Sequence, residues 1–173
     1  MDFERYSALI GYNAHFWQLM LEQPDPQGYS EWEHKKTPTY ANGRVCIMGD
    51  AAHATTPWQG AGAGQAFEDA MVLGALLGSA SSVESIKLAF TAYDEVRRPR
   101  CQQVIESSKE TGEIMCWQKR DVELNHRTLM AALENRWTFI YDLDPDTHKT
   151  DALSKMRYFE AIGRGVPGTD LVG

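Results

Sequence analysis

The sequence predicts an α/β fold in which a short strand is followed by a series of α-helices. The run Val45–Met48 is apolar and partly β-branched, which indicates a buried strand. After a polar loop, Gln65–Leu77 has a helical pattern that is almost wholly apolar beyond Asp69, so we expect a helix buried on most sides. Apolar positions at helical spacing then recur as far as Ile162.

Composition limits the classes of function. The chain has 173 residues, enough for one domain with a real core, and its 43% apolar and 24% charged residues are typical of a soluble globular protein. A net charge of −7 argues against a nucleic-acid surface, and no apolar run is long enough to cross a membrane. No signal peptide is visible, so we expect reduced cysteines and a cytoplasmic protein. The three cysteines, Cys46, Cys101 and Cys116, lack metal-ligand spacing, and no metal is expected.

The segment between the predicted strand and helix carries the chemistry. Gly49-Asp50 ends the strand, a polar loop with Pro57 follows, and Gly60, Gly62 and Gly64 precede the helix. Glycines let a ligand approach the backbone closely, and a helix start offers free N–H groups and the positive end of its dipole. The Asp50 carboxylate accepts hydrogen bonds from hydroxyl groups. We therefore expect a ligand with a polyol part and a part that is or becomes negative.

Two common glycine loops are excluded. The dinucleotide fingerprint G-x-G-x-x-G fails because Gln65 stands in place of its third glycine and about ten residues separate the loop from the strand. The phosphate loop G-x-x-x-x-G-K-[ST] fails because no lysine follows these glycines.

The segment resembles the second flavin-binding motif of the class A flavoprotein monooxygenases, the para-hydroxybenzoate-hydroxylase-like aromatic hydroxylases. That motif reads Gly-Asp-Ala-Ala-His, Pro, a glycine-rich loop and Glu-Asp-Ala, which stand here as Gly49–His53, Pro57, Gly60–Gly64 and Glu68–Ala70. Tyr93–Arg100 further resembles the salicylate-hydroxylase-like branch. The resemblance extends from about Thr37 to Gly112.

The resemblance implies an FAD-dependent enzyme that hydroxylates an aromatic acid or phenol with NAD(P)H and O2. It also implies an α/β parent fold, in which a mixed-sheet FAD-binding domain accompanies a substrate domain. In such enzymes the aspartate of the Gly-Asp motif binds the ribityl chain of FAD, the helix N-terminus binds the O2/N1 edge of the isoalloxazine, and the proline lies beside the ring. The cofactor-binding residues implied here are Asp50, Pro57, Gly60, Gly62, Ala63 and Gly64.

The family's G-x-G-x-x-G loop and mid-chain Asp-Gly motif are absent, so we expect the chain to be the C-terminal part of such an enzyme and inactive alone. The expected organisation is a connector at 1–36, the C-terminal part of the FAD-binding domain at 37–118, and a helical segment with a mobile tail at 119–173. The competing hypothesis is a non-catalytic helical fragment or interaction module. Expected partners are a small aromatic substrate and either the remainder of the enzyme or a second copy, with no membrane or nucleic acid.

The flanking elements follow from local signals. His15–Leu21 is predicted as a strand, Glu22–Lys36 as a loop, and Asn42-Gly43 as a turn. Gly78 stands where a helix end favours a left-handed residue, and Ser81-x-x-Glu84 predicts a capping box.

Further along, Pro99 predicts the first turn of a new long helix. Asp121–Tyr141 is predicted to be helical, Asp144-Pro145 ends that helix, and Ala152–Ile162 forms a last helix closed by Gly163.

Catalytic residues are not assigned by the sequence, and His53, Pro57 and Trp58 are the pocket candidates. His53 has an ordinary pKa suited to a catalytic base, but a histidine hydrogen-bonded within the loop is the favoured interpretation. Trp58 is a candidate for the lining of an aromatic pocket, and the sequence favours neither this role nor its absence.

The charged residues also leave alternatives. Glu68 and Asp69 are adjacent on a helix and so are expected to point apart, stabilising its first turn rather than forming an acid–base pair. Arg97, Arg98 and Arg100 either grip a phosphate of NAD(P)H or FAD, or form a solvated helix start paired with Asp94 or Glu95. The second interpretation is preferred.

Overall fold

The computed structural model describes residues 22, 24–25, 30–116 and 125–165. Its first elements are two short antiparallel strands, β1 (Ala41–Asn42) and β2 (Val45–Cys46), in which Ala41 pairs with Cys46 and Asn42 with Val45. Gly43, at φ 61°, is the first of the two residues that join them. A glycine at this position suits a two-residue hairpin, so the turn predicted at Asn42-Gly43 is confirmed.

The predicted buried strand Val45–Met48 is wrong in length and in burial. The strand ends at Cys46, and the side chains of Val45 and Met48 are 67% and 40% exposed. Cys46 and Ile47 are half-buried against the core, where Ile47 donates its N–H to the Tyr40 carbonyl at 2.9 Å. In the described structure, no second layer covers the outer face of the hairpin, so Val45 and Met48 stay exposed. An apolar run in a sequence does not show whether such a layer is present.

Two short helical turns lead into a long helix. The two turns are α1 (Asp50–His53) and a single 3-10 turn at Pro57–Gln59, and the long helix is α2 (Gly62–Ser79). The predicted helix Gln65–Leu77 is therefore confirmed but begins three residues earlier. Gly78 lies inside α2 rather than at a left-handed end, because the helix is followed by Ala80 in an extended conformation at φ −75°.

Helix α3 (Val83–Met115) is continuous for 33 residues. Its capping box is formed by Ser82 and Ser85, so the box predicted at Ser81 and Glu84 is displaced by one residue. Pro99 lies in the interior and does not start a new helix. Buried residues continue on both sides of it, and their packing outweighs the hydrogen bond that a proline cannot donate.

The remaining helices are α4 (His126–Leu133), α5 (Thr138–Tyr141) and α6 (Pro145–Gly165). The helix predicted over Asp121–Tyr141 is interrupted by a turn in which Asn135 takes φ 62°, and residues 121–124 lie outside the described residues. The predicted helix Ala152–Ile162 is part of α6, which Gly163 does not close. The predicted break at Asp144-Pro145 is confirmed, since Asp144 accepts the N–H groups of Asp146 and Thr147 at 3.2 and 3.3 Å.

Helices α2, α3 and α6 pack on one another and form the core. Small residues at the contacts allow close approach of the helices, while Tyr40 joins the hairpin to the same cluster. The fully buried apolar residues include Val72, Leu76, Ala89, Ala92, Tyr93 and Ala152. None of the described helices is long and apolar enough to span a membrane. The strand predicted at His15–Leu21, most of the loop before residue 30 and the tail from 166 lie outside the described residues.

Candidate functional site

Asp50 is presented at the surface by a constrained turn. It is the first residue of α1 and is exposed, whereas the preceding Gly49 is buried at φ 59° and ψ −145°. A Cβ on Gly49 would stand 3.6 Å from the Cβ of Ala66, so this turn lies against the early part of α2. Only glycine adopts this backbone conformation without strain, and the turn thereby places Asp50 beside the start of α2.

The N-terminus of α2 presents bare backbone. Gly60, at φ 64°, closes the 3-10 turn by donating its N–H to the Pro57 carbonyl at 2.9 Å. The Gln65 N–H to Ala61 carbonyl bond, at 3.0 Å, begins the helical ladder. The N–H groups before it have no partner inside the helix, and they carry the positive end of its dipole. They belong to Gly62, Ala63 and Gly64, of which the last two are exposed.

Of the glycines at this terminus, Gly60 is needed for its left-handed backbone at φ 64°, whereas Gly62 and Gly64 are not required by the protein's own packing. A Cβ on Gly60 or Gly64 would meet nothing within 4 Å, and a Cβ on Gly62 would make an ordinary 3.5 Å contact with the Thr55 methyl group. Glycine in a helix costs about 0.5–1 kcal/mol relative to alanine. An open face of bare N–H groups beside an exposed carboxylate fits a flat group that carries both negative charge and hydroxyls.

Beneath this surface lies a buried ionic cluster built on Asp69. Its Oδ2 accepts the Gly49 N–H at 2.9 Å and the His53 Nε2–H at 2.6 Å, and its Oδ1 accepts the Arg97 Nε–H at 2.8 Å. Asp69 and Arg97 have no exposed surface, and His53 is 2% exposed. His53 is therefore hydrogen-bonded as expected, but its partner is on α2 rather than in its own loop, and its burial does not suit a catalytic base acting on a bound molecule.

Arg97 ties three helices together. From α3 it donates to the Gln65 backbone carbonyl and side-chain oxygen of α2 at 3.1 and 3.0 Å, and to His148 Nε2 of α6 at 3.1 Å. It also pairs with Glu68. Because a guanidinium only donates, His148 accepts through Nε2 and carries its proton on Nδ1.

The two charge predictions are therefore corrected. Glu68 and Asp69 do not point apart, since Arg97 contacts both, and they lie in the second turn of α2 rather than its first. Arg97 is not solvated, and Arg100 binds Glu68 with Nε–Oε2 at 2.7 Å. Arg98 alone of the three follows the prediction, pairing with Asp94 at 2.9 Å. Arg97 and Arg100 are committed to carboxylates of α2, whereas Arg98 contacts Asp94 through Nε.

The pKa values follow from these contacts. Burial tends to raise the pKa of Asp69, but hydrogen bonds from His53, Gly49 and Arg97 outweigh it and lower the pKa below its ordinary value. The pKa of Glu68 is lowered in the same way, as Arg100 and Arg97 overcome burial. Burial, reinforced by the nearby Arg97 charge, lowers the pKa of His148. Burial also raises the pKa of the Cys101 thiol to about 12, so the sulfur beside Arg97 stays protonated.

Trp58 lines a groove of about 320 Å³. Its indole lies directly on α3, where a Cβ added to Gly112 would stand 2.3 Å from Nε1. Pro57 is exposed next to it. The groove is lined by Glu31, Trp32, Glu33, Thr56, Lys109, Glu113 and Cys116 in addition to Trp58 and Gly112.

Two positioning features were missed from the sequence. Gln59 is buried and donates Nε2–H to Ser107 Oγ at 2.9 Å and to the Arg136 carbonyl at 3.0 Å, which holds the 3-10 turn to α3 and to the segment after α4. Trp137 Nε1 donates to the Gln59 carbonyl at 3.2 Å. A polar residue beside a glycine loop carries no sequence signal for such a contact.

Comparisons with known proteins show what this chain is similar to. The family described as "FAD binding domain" matches residues 13–108. The 6-methylsalicylate 1-monooxygenase atA of Aspergillus terreus is 36% identical over 135 residues, covering 78% of this chain and 30% of that protein. A salicylate hydroxylase of Pseudomonas putida is 37% identical over 154 residues, covering 88% of this chain and 36% of that protein.

A solved structure described as a salicylate hydroxylase substrate complex is also similar. Its TM-score is 0.64 at 41% sequence identity, covering 68% of this chain and 29% of that one. The chain thus spans about a third of the length of the curated relatives it matches.

Proposed function

Starting from the finding that this chain belongs to the FAD binding domain family of FAD-dependent aromatic monooxygenases, we propose that its protein hydroxylates an aromatic acid or phenol with NAD(P)H and O2. That membership confirms the family resemblance of the motif residues and the fold class that the resemblance implied. The observation that supports the proposal is the exposed Asp50 carboxylate beside the bare first turn of α2.

The residues of this chain have defined tasks toward FAD. Asp50 accepts hydrogen bonds from the hydroxyls of the ribityl chain. The N–H groups of Gly62, Ala63 and Gly64 stabilise negative charge at the edge of the ring, because fixed donors at a helix N-terminus need no reorganisation when charge develops. Gly60 and Pro57 shape the turn beside the ring. FAD, when bound, supplies the redox and oxygen-activating chemistry, and the protein supplies binding, orientation and electrostatics.

We assign Trp58 and Pro57 to the border of the aromatic substrate site. The groove beside Trp58 has the volume of a small-molecule site, and an indole gives an aromatic ring a flat apolar contact. Its described lining carries three glutamates and one lysine, and Lys109 Nζ is already 2.9 Å from Glu33.

The test is to purify the enzyme with its FAD and measure hydroxylated product, O2 consumption and NAD(P)H oxidation with matched phenols and benzoates. Product formed in step with NAD(P)H oxidation is the expected result. Flavin without any aromatic-dependent oxidation would contradict the monooxygenase proposal. Absence of flavin would favour the non-catalytic interaction module instead.

A further inference from the structure

We propose that Asp69 is a positioning residue for the cofactor site: from the protein interior, its carboxylate holds the turn that carries Asp50. The inference rests on the proposed function, in which Asp50 contacts FAD. Asp69 itself is fully buried and touches no surface ligand, so it acts through the backbone of another segment.

One carboxylate oxygen holds both ends of α1. Oδ2 of Asp69 accepts the N–H of Gly49, which precedes the helix, at 2.9 Å, and the Nε2–H of His53, its last residue, at 2.6 Å. Asp50 lies between these two contacts. A four-residue helix has too few internal hydrogen bonds to hold its own orientation. These two bonds, together with the bond from Thr37 Oγ1 to the Ala52 carbonyl at 3.1 Å, therefore set the direction in which Asp50 is presented.

The carboxylate is itself fixed relative to the N-terminus of α2. Arg97 holds Oδ1 of Asp69 at 2.8 Å and, through its Nη2, the backbone carbonyl of Gln65 at 3.1 Å. Gln65 directly follows the glycines whose N–H groups face outward. Asp69 and Arg97 therefore set the spacing between the acceptor that meets the ribityl chain and the donors that meet the ring. A cofactor that binds both at once requires this spacing to within a fraction of an ångström.

Asp94 provides a matched control in the same protein. It also accepts a backbone N–H, from Tyr40 at 2.7 Å, and an arginine Nε–H, from Arg98 at 2.9 Å. Replacing it with asparagine disturbs the same kinds of bond in the hairpin region, where the described structure places no residue of the cofactor site. The control thus reports what the loss of such a pair does to stability alone.

The experiment is a double-mutant cycle on the FAD-loaded enzyme. FAD dissociation constants are measured by fluorescence for the wild type, Asp50→Ala, Asp69→Asn and the double variant, with Asp94→Asn as control and with unfolding temperatures for all. We expect Asp69→Asn to weaken FAD binding about tenfold. In the double variant the two losses of FAD binding free energy should be less than additive, because Asp69 acts by positioning a carboxylate that Asp50→Ala has already removed. Asp94→Asn should lower the unfolding temperature with an unchanged dissociation constant.

A second variant covers the case in which Asp69→Asn does not fold. His53→Phe removes one of the two bonds to the Asp50 turn while keeping a ring beside Tyr40, whose centroid is 5.8 Å away. It should weaken FAD binding and shift the flavin absorption band. Fully additive effects of the Asp50 and Asp69 changes, or equal weakening by Asp94→Asn, would overturn the positioning role. If Asp50→Ala leaves FAD binding unchanged, the proposed function fails at Asp50, and the inference falls with it.

Discussion

At the scale of single residues, Asp50 combines exposure with a fixed backbone. Its carboxylate is available to solvent while the flanking Gly49 and His53 are buried and bonded to Asp69. No hydrogen bond of the described structure uses the Asp50 side chain, so its removal should change the stability of the fold little.

We predict that Asp50→Ala weakens FAD binding by about 1.5–3 kcal/mol, the value of a hydrogen bond to a charged group, with little change in unfolding temperature. Fluorescence titration of the apoenzyme with FAD measures the first quantity and thermal unfolding the second. Asp146→Ala, which removes an exposed aspartate paired with Lys149 at the start of α6, is the control. Equal FAD affinity in the wild type and Asp50→Ala would contradict the assignment.

A second residue-scale prediction concerns Gly62. The structure gives a Cβ there an ordinary contact at 3.5 Å, so Gly62→Val should fold. The added side chain would stand where the flavin edge meets the backbone, and flavin occupancy should fall sharply. Gly78→Val is matched to it, since Gly78 lies in the same helix with nothing within 4 Å of a Cβ. Flavin-to-protein absorbance ratios after purification compare the two, and equal loss in both would mean that the loop is not the flavin contact.

At the scale of elements, α2 shows why local helix-end signals mislead. Gly78 is exposed and helical, and the chain leaves the helix two residues later without a left-handed residue. A glycine that ends a helix in the left-handed region resists replacement, whereas one inside a helix is merely a weak helix former.

We therefore predict that Gly78→Ala stabilises the protein by about 0.5–1 kcal/mol, measured by urea unfolding. Gly43→Ala serves as the opposite case, because Gly43 has φ 61° in the hairpin turn and alanine there is strained. Loss of stability in Gly78→Ala would show that the helix ends at this residue in solution.

At the scale of the whole molecule, the buried cluster joins α2, α3 and α6 through ionised groups. The free energy of unfolding therefore depends on pH. Asp69 and Glu68 have lowered pKa values in the folded protein. Their contribution is present above the ordinary carboxyl pKa, near 3.8 for aspartate, and is lost as pH falls through the folded values. His148 also has a lowered pKa, so the unfolded chain takes up that proton first and stability declines as pH falls below 6.5.

We predict a lower urea midpoint at pH 5 than at pH 7, with a further steep loss below about pH 4. His148→Gln keeps an acceptor for Arg97 without a titrating ring. It should therefore reduce the fall in urea midpoint between pH 7 and pH 5 and leave the loss below about pH 4 unchanged. A variant whose pH profile matches the wild type throughout would exclude His148 as the source.

The sequence by itself determined the features that depend on neighbouring residues. The glycine-led start of α2, the turn at Gly43, the helix break at Asp144-Pro145 and the acceptor–donor chemistry of the Asp50 loop are all properties of a few consecutive residues. The motif resemblance is also a local feature, because its residues lie along one continuous segment of the sequence. The helix, the turn and the helix break carried over to the structure with shifts of only a few residues at element ends, whereas the binding chemistry of the Asp50 loop stays a prediction.

Tertiary structure decided where charge is buried and which helices continue. Arg97 reaches Asp69 across 28 positions and His148 across 51, and no local pattern distinguishes such an arginine from a solvated one. Pro99 stays within α3 because both of its flanks are buried against other helices, and Val45 is exposed because nothing described covers the outer face of the hairpin. Burial energies come from partners distant in sequence, so the ionic cluster beneath the proposed cofactor site exists only once α2, α3 and α6 have packed together.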